Sequence, residues 1–383
     1  MRSEPMRIAL FTETFLPKID GIVTVVCLLL DHLAARGIAA TVVAPKMGVT
    51  RYGHADVIGV PGVRFPFYPE LRIGPSTPAT YRRLRRFQPD LVHLFHPVLI
   101  GLPGMLMAKR LGIPILTSFH LDVARLAGHY GLGFLEPGID WATRVVFNWA
   151  DYALAPSQRV QAELHALGVR EVGWWRRGVD AARFNPRHRS DSMRAALSGG
   201  HPDDVLLLYV GRISAEKQLD QLRPVLDQVP GTRLALVGEG PARADLEARF
   251  AGTPTTFMGY LTGAALAEAY ASADVFVFPS ASEAYGLVVI EAMAAGLPVV
   301  ASRVGGVNDM ITEGVNGYTF AVNDQRGLID GVRQIASNRA RISAMGRAAR
   351  AFAETQTWDA SLNDLVDLYA ALIAAKAARR VTA

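Results

Sequence analysis

Two glutamates lie eight positions apart where an apolar strand pattern gives way to a helical one. Glu283 follows the apolar run 275–278, and Glu291 lies about two turns into the apolar stretch after Gly286. Ligands of open parallel sheets bind at the carboxyl ends of the strands. Both carboxylates are therefore expected at one such edge, where sugar hydroxyls can bind Glu283 and a ribose can bind Glu291. Backbone amides at the start of the helix would face a phosphate.

Two cations follow another predicted strand. Arg212 and Lys217 come shortly after the apolar run 205–210. Arginine offers a planar fork of donors and lysine a compact ammonium group, a combination that suits a diphosphate. Such cations assist chemistry when the diphosphate leaves, because its negative charge increases as the bond to it breaks. The alternative is that both residues are ion-pair partners at the start of a helix.

Glycines mark two further turns after strands. The glycine-containing turn 237–241 follows the run 233–237 and is expected on the same side of the sheet. Near the N-terminus, residues 12–22 follow the first predicted strand and open a helix, where Gly21 would let a phosphate approach the backbone. A purely structural turn glycine is the alternative to a phosphate contact.

Short apolar runs alternate with longer helical patterns along the chain, which is typical of βαβ units and parallel sheets. The fold class is therefore predicted to be α/β. The clearest strands are predicted at residues 8–11, 40–44, 91–94, 115–118, 152–155, 205–210, 233–237, 275–278 and 299–301. A helix is predicted over residues 23–36, with Gly37 as its C-terminal cap.

The chain is long enough for two domains with separate cores, since it has 383 residues. A polar, glycine-containing segment, 173–204, is interpreted as the connection between them. We predict an N-terminal domain over residues 1–180 and a C-terminal domain over residues 181–357. A last helix, over residues 358–383, is expected to return to the first domain because its apolar face needs a surface to cover.

Charge is distributed unevenly along the chain. The net charge is +5, and the basic surplus lies within residues 1–180, with a dense run at Arg82, Arg83, Arg85 and Arg86. This run is either a solvated helix face or a surface attracted to anionic lipid, where each arginine contributes about 1 kcal/mol. No nucleic-acid recognition motif accompanies it, so a nucleic-acid partner is not expected.

Cysteine and hydropathy patterns bear on the protein's location. Cys27 is the only cysteine, which excludes a disulfide framework and suits a reducing compartment. The apolar run 22–30 is much shorter than the about 20 residues that span a bilayer. The opening residues 1–5 do not resemble a signal peptide. We expect a cytoplasmic protein, with peripheral association at the inner face of the cell membrane as a further expectation.

The segment 282–301, together with Arg212 and Lys217, resembles the retaining glycosyltransferases of family 4, and the resemblance covers essentially the whole chain. It implies the GT-B architecture: two facing Rossmann-like domains with parallel sheets and a deep interdomain cleft. The N-terminal domain would bind the acceptor and the C-terminal domain the nucleotide sugar. No Asp-x-Asp motif follows a predicted strand, which agrees with a metal-independent reaction and with no cofactor beyond the nucleotide-sugar substrate.

The resemblance also implies residue roles. Glu283 and Glu291 would contact the donor sugar and the ribose, and the backbone at Tyr260, in a predicted loop at 257–261, would read the base. The predicted catalytic residues are His120, Arg212, Lys217 and Glu283. The predicted donor-binding residues are Gly21, Arg212, Lys217, Gly259, Tyr260, Leu261, Glu283, Ala284, Tyr285, Gly286, Leu287 and Glu291. The predicted acceptor-binding residues are Asp20, His120, Asp122 and Arg125.

Two of these positions leave alternatives open. His120, at the end of a strand, would lie beside the reacting sugar, although a structural core histidine is the other interpretation; His93 and His96 are weaker candidates. Tyr285 stands where phenylalanine is common in the family, and its hydroxyl could reach the donor sugar. The identity of the donor base and sugar is not predicted beyond a UDP- or GDP-sugar.

Segments 12–21, 119–124 with 130–131, and 175–180 are most similar to family members that act on lipids. These are the sulfoquinovosyl, glucuronosyl and mannosyl transferases of diacylglycerol or phosphatidylinositol-type acceptors. This similarity implies transfer to a membrane lipid, with residues 62–87 at an anionic membrane surface and an aromatic lip at 64–68. The alternatives are transfer to a soluble carbohydrate acceptor, a nucleotide-sugar epimerase of the same fold, and a non-catalytic binding module. An epimerase would convert the donor without an acceptor.

Overall fold

The computed structural model of the protein describes residues 6–18, 20–65, 68–74, 77–95, 97, 100–120, 123–124 and 131–381. The chain divides into two compact units. The first unit comprises Met1–Leu121, Pro137–Trp175 and Asp359–Ala383, and the second comprises Asp122–Glu136 and Arg176–Trp358. The polypeptide therefore passes to the second unit again after Trp175, and its last helix, from Asp359 onward, is part of the first unit.

The strands and helices alternate along most of the chain. The strands are β1 (Arg7–Thr12), β2 (Ala39–Pro45), β3 (Arg51–Tyr52), β4 (Ala55–Val60), β5 (Val63–Phe65), β6 (Tyr68–Ile73), β7 (Leu91–Phe95), β8 (Ile115–Ser118), β9 (Tyr152–Ala155), β10 (Val172–Trp174), β11 (Val205–Val210), β12 (Thr232–Val237), β13 (Thr255–Gly259), β14 (Val275–Phe278), β15 (Val299–Ser302) and β16 (Gly317–Phe320). The α-helices are α1 (Gly21–Ala35), α2 (Pro78–Phe87), α3 (Gly101–Leu111), α4 (Glu136–Trp149), α5 (Gln158–Ala166), α6 (Asp191–Leu197), α7 (Arg223–Gln228), α8 (Arg243–Arg249), α9 (Gly263–Ala271), α10 (Leu287–Ala294), α11 (Val307–Met310), α12 (Gln325–Ala336), α13 (Arg339–Glu354) and α14 (Trp358–Val381).

Each unit is built on a parallel sheet. Within the described residues, the first unit has the strand order β10-β9-β8-β7-β1-β2-β4-β3, in which only the β3–β4 pair is antiparallel. The second unit has the order β13-β12-β11-β14-β15-β16, with every neighbouring pair parallel. The direction of winding reverses between β11 and β14, and loops at such a reversal form the ligand crevice of doubly wound folds.

Burial explains why the central strands read as continuous apolar runs. All residues of β11 and β14 are buried, as expected for strands covered by helices on both faces. Such strands can position loops at their carboxyl ends with little freedom. No helix in the described part of the chain is both long and apolar enough to cross a bilayer.

Helix ends follow local sequence signals. Asp20 caps α1 by accepting a hydrogen bond from the Val23 amide at 2.9 Å, and Gly37, just beyond the helix, has φ +68°. Thr77 caps α2, with Pro78 at the first helical position. The predicted helix 23–36 and the nine predicted strands are confirmed, with ends that differ by at most two residues. Strands β3, β4, β5, β6, β10, β13 and β16 were not predicted.

Candidate active site

The cation Lys217 and the carboxylate Glu283 meet at the winding reversal of the second unit. Lys217 follows β11 and Glu283 follows the adjacent β14. The Lys217 Nζ atom lies 2.9 Å from Glu283 Oε2, and the two side chains are only 16% and 23% exposed. The ammonium group also lies 5.4 Å from the centroid of the Phe278 ring, at the end of β14. Two residues that are far apart in sequence therefore form one partly buried ion pair.

Backbone contacts hold the two loops together. Residues Ala215–Lys217 form a single 3₁₀ turn, and the carbonyl oxygen of Glu216 accepts a hydrogen bond from the Ala281 amide at 2.8 Å. Gln218, directly after Lys217, adopts the left-handed conformation with φ 49°. The position of the Lys217 side chain is thus set by the backbone on both sides of it.

Arg212 lies in the same loop as Lys217. The buried Tyr209 hydroxyl donates a hydrogen bond to the Arg212 carbonyl at 2.8 Å, which ties the loop to β11. Burial lowers the pKa of the Arg212 guanidinium and the charge of Glu216 raises it. Burial, with smaller contributions from Glu283 and Glu216, raises the pKa of Tyr209 well above its usual range, so its hydroxyl remains a donor.

The glycine-containing turn after β12 packs against the loop of Arg212. The Ile213 amide donates to the Glu239 carbonyl at 2.9 Å. A Cβ atom on Gly238, whose φ is +140°, would lie 1.9 Å from the Gly211 carbonyl oxygen. Only glycine permits this approach, so the turn serves to join two neighbouring loops at the carboxyl edge of the sheet.

A second loop, at residues 304–306, supports the backbone of Glu283. The Gly306 amide donates to the Ala284 carbonyl at 3.1 Å, and a Cβ atom on Gly305 would lie 1.9 Å from the Glu283 carbonyl oxygen. The Tyr285 hydroxyl donates to the Arg177 carbonyl at 3.2 Å. The hydroxyl that could have reached a donor sugar is therefore engaged within the protein.

Helix α10 starts directly after this loop. Its N-cap is Gly286, with φ 92°, and no side chain caps the helix end. The first amides of a helix have no partners within the helix, and together with the helix dipole they attract anions. The start of α10, which follows Glu283 closely in the chain, is therefore suited to attract an anion.

Glu291 lies on α10 and is partly buried. Its Oε2 atom accepts a hydrogen bond from the buried Tyr270 hydroxyl at 3.0 Å. Burial raises the pKa of Glu291 to about 7, against the opposing effects of Tyr270 and Arg183. The carboxyl group is therefore ready to ionise near neutral pH and to accept hydrogen bonds from the hydroxyls of a ligand.

We expect the substitution Glu291→Gln to stabilise the protein at high pH. The native pKa of about 7 exceeds the ordinary value of 4.5, so the native state holds its proton more tightly and loses stability relative to the unfolded state as the pH rises from 4.5 to 7. At pH 8 the variant should exceed the parent by roughly 3 kcal/mol, and at pH 5 by much less. Thermal unfolding at both pH values measures the difference, and Glu247→Gln, at an exposed position on α8, is the control. Equal differences at the two pH values would contradict the raised pKa.

The predicted base-reading segment is partly strand. Residues 257–259 complete β13 and are not a loop, because they pair with β12, which corrects that prediction. Gly259 has φ +68° and its carbonyl accepts a hydrogen bond from the Gly238 amide at 2.8 Å. Tyr260, which follows, is 57% exposed, and Leu261 is half-buried. The segment therefore reaches the same edge of the sheet as the glycine-containing turn after β12.

The first unit holds the remaining predicted residues. His120 follows β8, is half-buried, and its Nε2 atom lies 2.7 Å from the Ser118 hydroxyl. Asp20 is an N-cap that also lies 3.1 Å from the Lys18 ammonium, and Gly21 is the exposed first residue of α1. Asp122 and Arg125, like His96, lie outside the described residues.

Family models match both halves of the chain. A sequence model described as "Glycosyltransferase Family 4" matches residues 19–183, and one described as "Glycosyl transferases group 1" matches residues 198–352. The chain is 37% identical to the sulfoquinovosyl transferase SQD2 of Arabidopsis thaliana, over 94% of this chain and 72% of that protein. It is 35% identical to a GDP-mannose-dependent alpha-mannosyltransferase of Mycolicibacterium smegmatis, over 98% of this chain and 100% of that protein. The chain belongs to glycosyltransferase family 4.

Solved structures share the fold of this family 4 glycosyltransferase. The sucrose-phosphate synthase of Thermosynechococcus elongatus superposes with a TM-score of 0.79 at 22% identity, covering 97% of this chain and 100% of that one. The predicted fold class, α/β of the GT-B type with two parallel-sheet domains, is confirmed.

Several residues around the site of this family 4 enzyme were not predicted. Beside the predicted residues of the second unit they are Tyr209, Tyr270, Arg183 and Gly305; beside His93 and His120 of the first unit they are Ser118 and Tyr369. Their roles depend on contacts between distant segments, and single tyrosines or glycines in apolar stretches carry no signal of such contacts. Among the described residues, no group of three or more histidine, cysteine or acidic side chains is arranged to hold a metal ion.

Proposed function

We propose that the protein transfers a hexosyl group, with retention of anomeric configuration and without a metal ion, from a UDP- or GDP-sugar to a membrane lipid such as diacylglycerol or a glycolipid. The observation that carries the proposal is the contact of Lys217 with Glu283 at the winding reversal of the second unit. One cation, one carboxylate and the uncapped start of α10 converge there. This is what a sugar linked to a diphosphate requires.

The chemistry divides among these groups. Lys217 and Arg212 would neutralise the diphosphate as it leaves, together with the amides at the start of α10. Glu283 would orient the sugar hydroxyls, and Glu291 would accept hydrogen bonds from the ribose. His120 would position the reacting sugar from the first unit. Because cations and amides supply the positive charge, a divalent ion is not needed in this scheme.

The donor and acceptor classes rest on sequence similarity and surface charge. One relative is named a sulfoquinovosyl transferase and another is named GDP-mannose-dependent, which supports a nucleotide sugar as donor. Arg82, Arg83, Arg85 and Arg86 are all exposed on α2, whereas Leu84 is buried. An exposed basic face of this kind suits an acceptor that lies in an anionic membrane. The side chains of the predicted aromatic lip at 64–68 lie outside the described residues.

Donor binding and transfer test the proposal together. A panel of UDP- and GDP-sugars should raise the thermal unfolding midpoint, since a ligand at about 100 times its Kd stabilises by about 2.7 kcal/mol. The transfer reaction is run with diacylglycerol or a glycolipid as acceptor and with EDTA present. NMR of the product should then show the same anomeric configuration as the donor. Conversion of the donor sugar without acceptor would identify an epimerase and overturn the proposal, as would complete inhibition by EDTA.

We expect binding to anionic vesicles to depend on α2. Each exposed arginine near an anionic surface contributes about 1 kcal/mol, so replacing Arg82, Arg83, Arg85 and Arg86 by glutamine should weaken binding by about a hundredfold or more at low salt. Co-sedimentation with phosphatidylserine vesicles measures this. The control replaces four exposed arginines of the second unit, Arg326, Arg333, Arg341 and Arg347. Equal binding by both variants would show that α2 is not the membrane face.

A further inference from the structure

A continuous chain of hydrogen bonds links the C-terminal helix to His120 within the first unit. The Tyr369 hydroxyl on α14 lies 2.6 Å from His93 Nδ1, on β7. His93 Nε2 lies 2.9 Å from the Ser118 hydroxyl, at the end of β8, and that hydroxyl lies 2.7 Å from His120 Nε2. We call Tyr369, His93 and Ser118 the relay. Its members are fully buried, and His120 is half-buried.

The strand register and the aromatic packing hold the relay and His120 in place. Ser118 pairs with Phe95 of the adjacent β7, which places the Ser118 side chain beside the strand that carries His93. The Phe95 ring stacks on His120 with centroids 5.1 Å apart, and the Trp175 ring meets His120 edge-on at 6.5 Å. Trp175 is itself anchored to α14, because its indole Nε1 donates to the Ser361 hydroxyl at 3.1 Å. The relay and the contact with Trp175 therefore both connect His120 to α14.

The hydrogen bonds of the relay can run in only one direction if every buried hydrogen is to have an acceptor. Burial raises the pKa of Tyr369 well above its usual range, so the hydroxyl keeps its hydrogen. Among the described residues, the Tyr369 hydroxyl has His93 as its hydrogen-bond partner. If His93 donated to Tyr369, the buried hydroxyl hydrogen would have no acceptor, which is unfavourable. Tyr369 therefore donates to His93 Nδ1.

The remaining hydrogens follow from that first bond. With Nδ1 as the acceptor, the His93 proton is on Nε2 and is donated to Ser118 Oγ. Ser118 then donates its own hydrogen to His120 Nε2, which must be the unprotonated nitrogen. The imidazole of His120 consequently carries its hydrogen on Nδ1 and is held in a single ring orientation.

We propose that Tyr369 is a positioning residue for sugar transfer, which acts through the relay to fix the tautomer and orientation of His120. This inference rests on the proposed function, in which His120 contacts the reacting sugar. The C-terminal helix would then have a role in the chemistry in addition to completing the fold of the first unit.

Tyr369→Phe tests the inference because it removes only the hydroxyl. We expect kcat to fall roughly tenfold with an unchanged KM for the donor, since His120 loses its fixed orientation but the donor-binding unit is untouched. Ser118→Ala, which breaks the relay next to His120, should cause a similar fall. In a His120→Ala background, neither substitution should reduce kcat further. A full additional loss in that background would overturn the inference, because Tyr369 would then act independently of His120.

A spectroscopic measurement separates the relay from the proposed function. In protein labelled with ¹⁵N at histidine, the His120 signals, assigned by their loss in His120→Ala, should show the Nδ1–H tautomer in the parent and a tautomer mixture in Tyr369→Phe. The control is Tyr152→Phe, a tyrosine of β9 outside the relay, which should leave these signals unchanged. Identical His120 signals in the parent and Tyr369→Phe would overturn the inference even if transfer is observed. If the His120 tautomer changes in Tyr369→Phe but the parent protein transfers no sugar, the relay is supported and the proposed function is wrong.

Discussion

Lys217→Met is expected to lower kcat by about 100- to 1000-fold, the effect of removing one preorganised charge that stabilises a developing anion. The ammonium group is largely withdrawn from water and lies 2.9 Å from Glu283, so its charge is not strongly screened. Methionine keeps most of the length of the side chain and its contact with Phe278. The loss should therefore reflect charge and not packing. Initial rates with a nucleotide sugar and a lipid acceptor measure it.

A matched lysine provides the control for this prediction. Lys376 on α14 lies 2.8 Å from Asp151 and is partly buried, as Lys217 is. Its ion pair belongs to the first unit, whereas the proposed donor site is in the second. Lys376→Met should leave kcat nearly unchanged. If Lys217→Met retained most of the parent activity, Lys217 could not be the group that stabilises the leaving diphosphate.

Gly305→Ala is expected to destabilise the second unit by about 3 kcal/mol and to lower kcat by about a hundredfold. The new methyl group would lie 1.9 Å from the carbonyl oxygen of Glu283 and 2.8 Å from that of Ala284, at a residue with φ +45°. Because backbone cannot move aside as a side chain can, the loop of Glu283 must shift. A shift of about 1 Å at Glu283, the proposed catalytic carboxylate, is enough for the expected loss of rate.

The contribution of the backbone conformation can be measured separately. Gly252 also has a positive φ, +76°, but a Cβ atom there would have no heavy atom within 4 Å. Gly252→Ala should therefore lose only about 1 kcal/mol and keep its activity. Thermal unfolding and steady-state rates of the two variants, side by side, give the comparison. Equal rates for both variants would show that the 304–306 loop does not position Glu283.

Short sequence patterns predicted the order of strands, loops and helices around the proposed site in the second unit. The spacing of Glu283 and Glu291, with a glycine between them, predicted a strand, a loop and a helix, and the structure has all three. Arg212 and Lys217 were predicted to lie after a strand, and they do. These predictions succeed because buried parallel strands need continuous apolar runs, and the polar residues that interrupt them lie at the loops.

Hydrogen-bond partners were not predictable in the same way. Asp20 is predicted to bind the acceptor, and the structure adds contacts that were not predicted: it caps α1 and pairs with Lys18. The hydroxyl of Tyr285 could have met a sugar, but it bonds to the Arg177 carbonyl. A polar side chain in a loop takes whichever partner the fold brings to it, and that partner is often distant in sequence.

The sequence by itself determined the family, the α/β class, the buried strands and the loops that carry the acids and cations, because apolar periodicity and short motifs depend on neighbouring residues. Only the tertiary structure decided that Lys217 meets Glu283, that Gly305 supports the Glu283 backbone, and that Tyr369 is linked to His120. The two residues in each of these three pairs lie more than about twenty positions apart in the sequence. Their geometry depends on strand order and register, which no local pattern encodes.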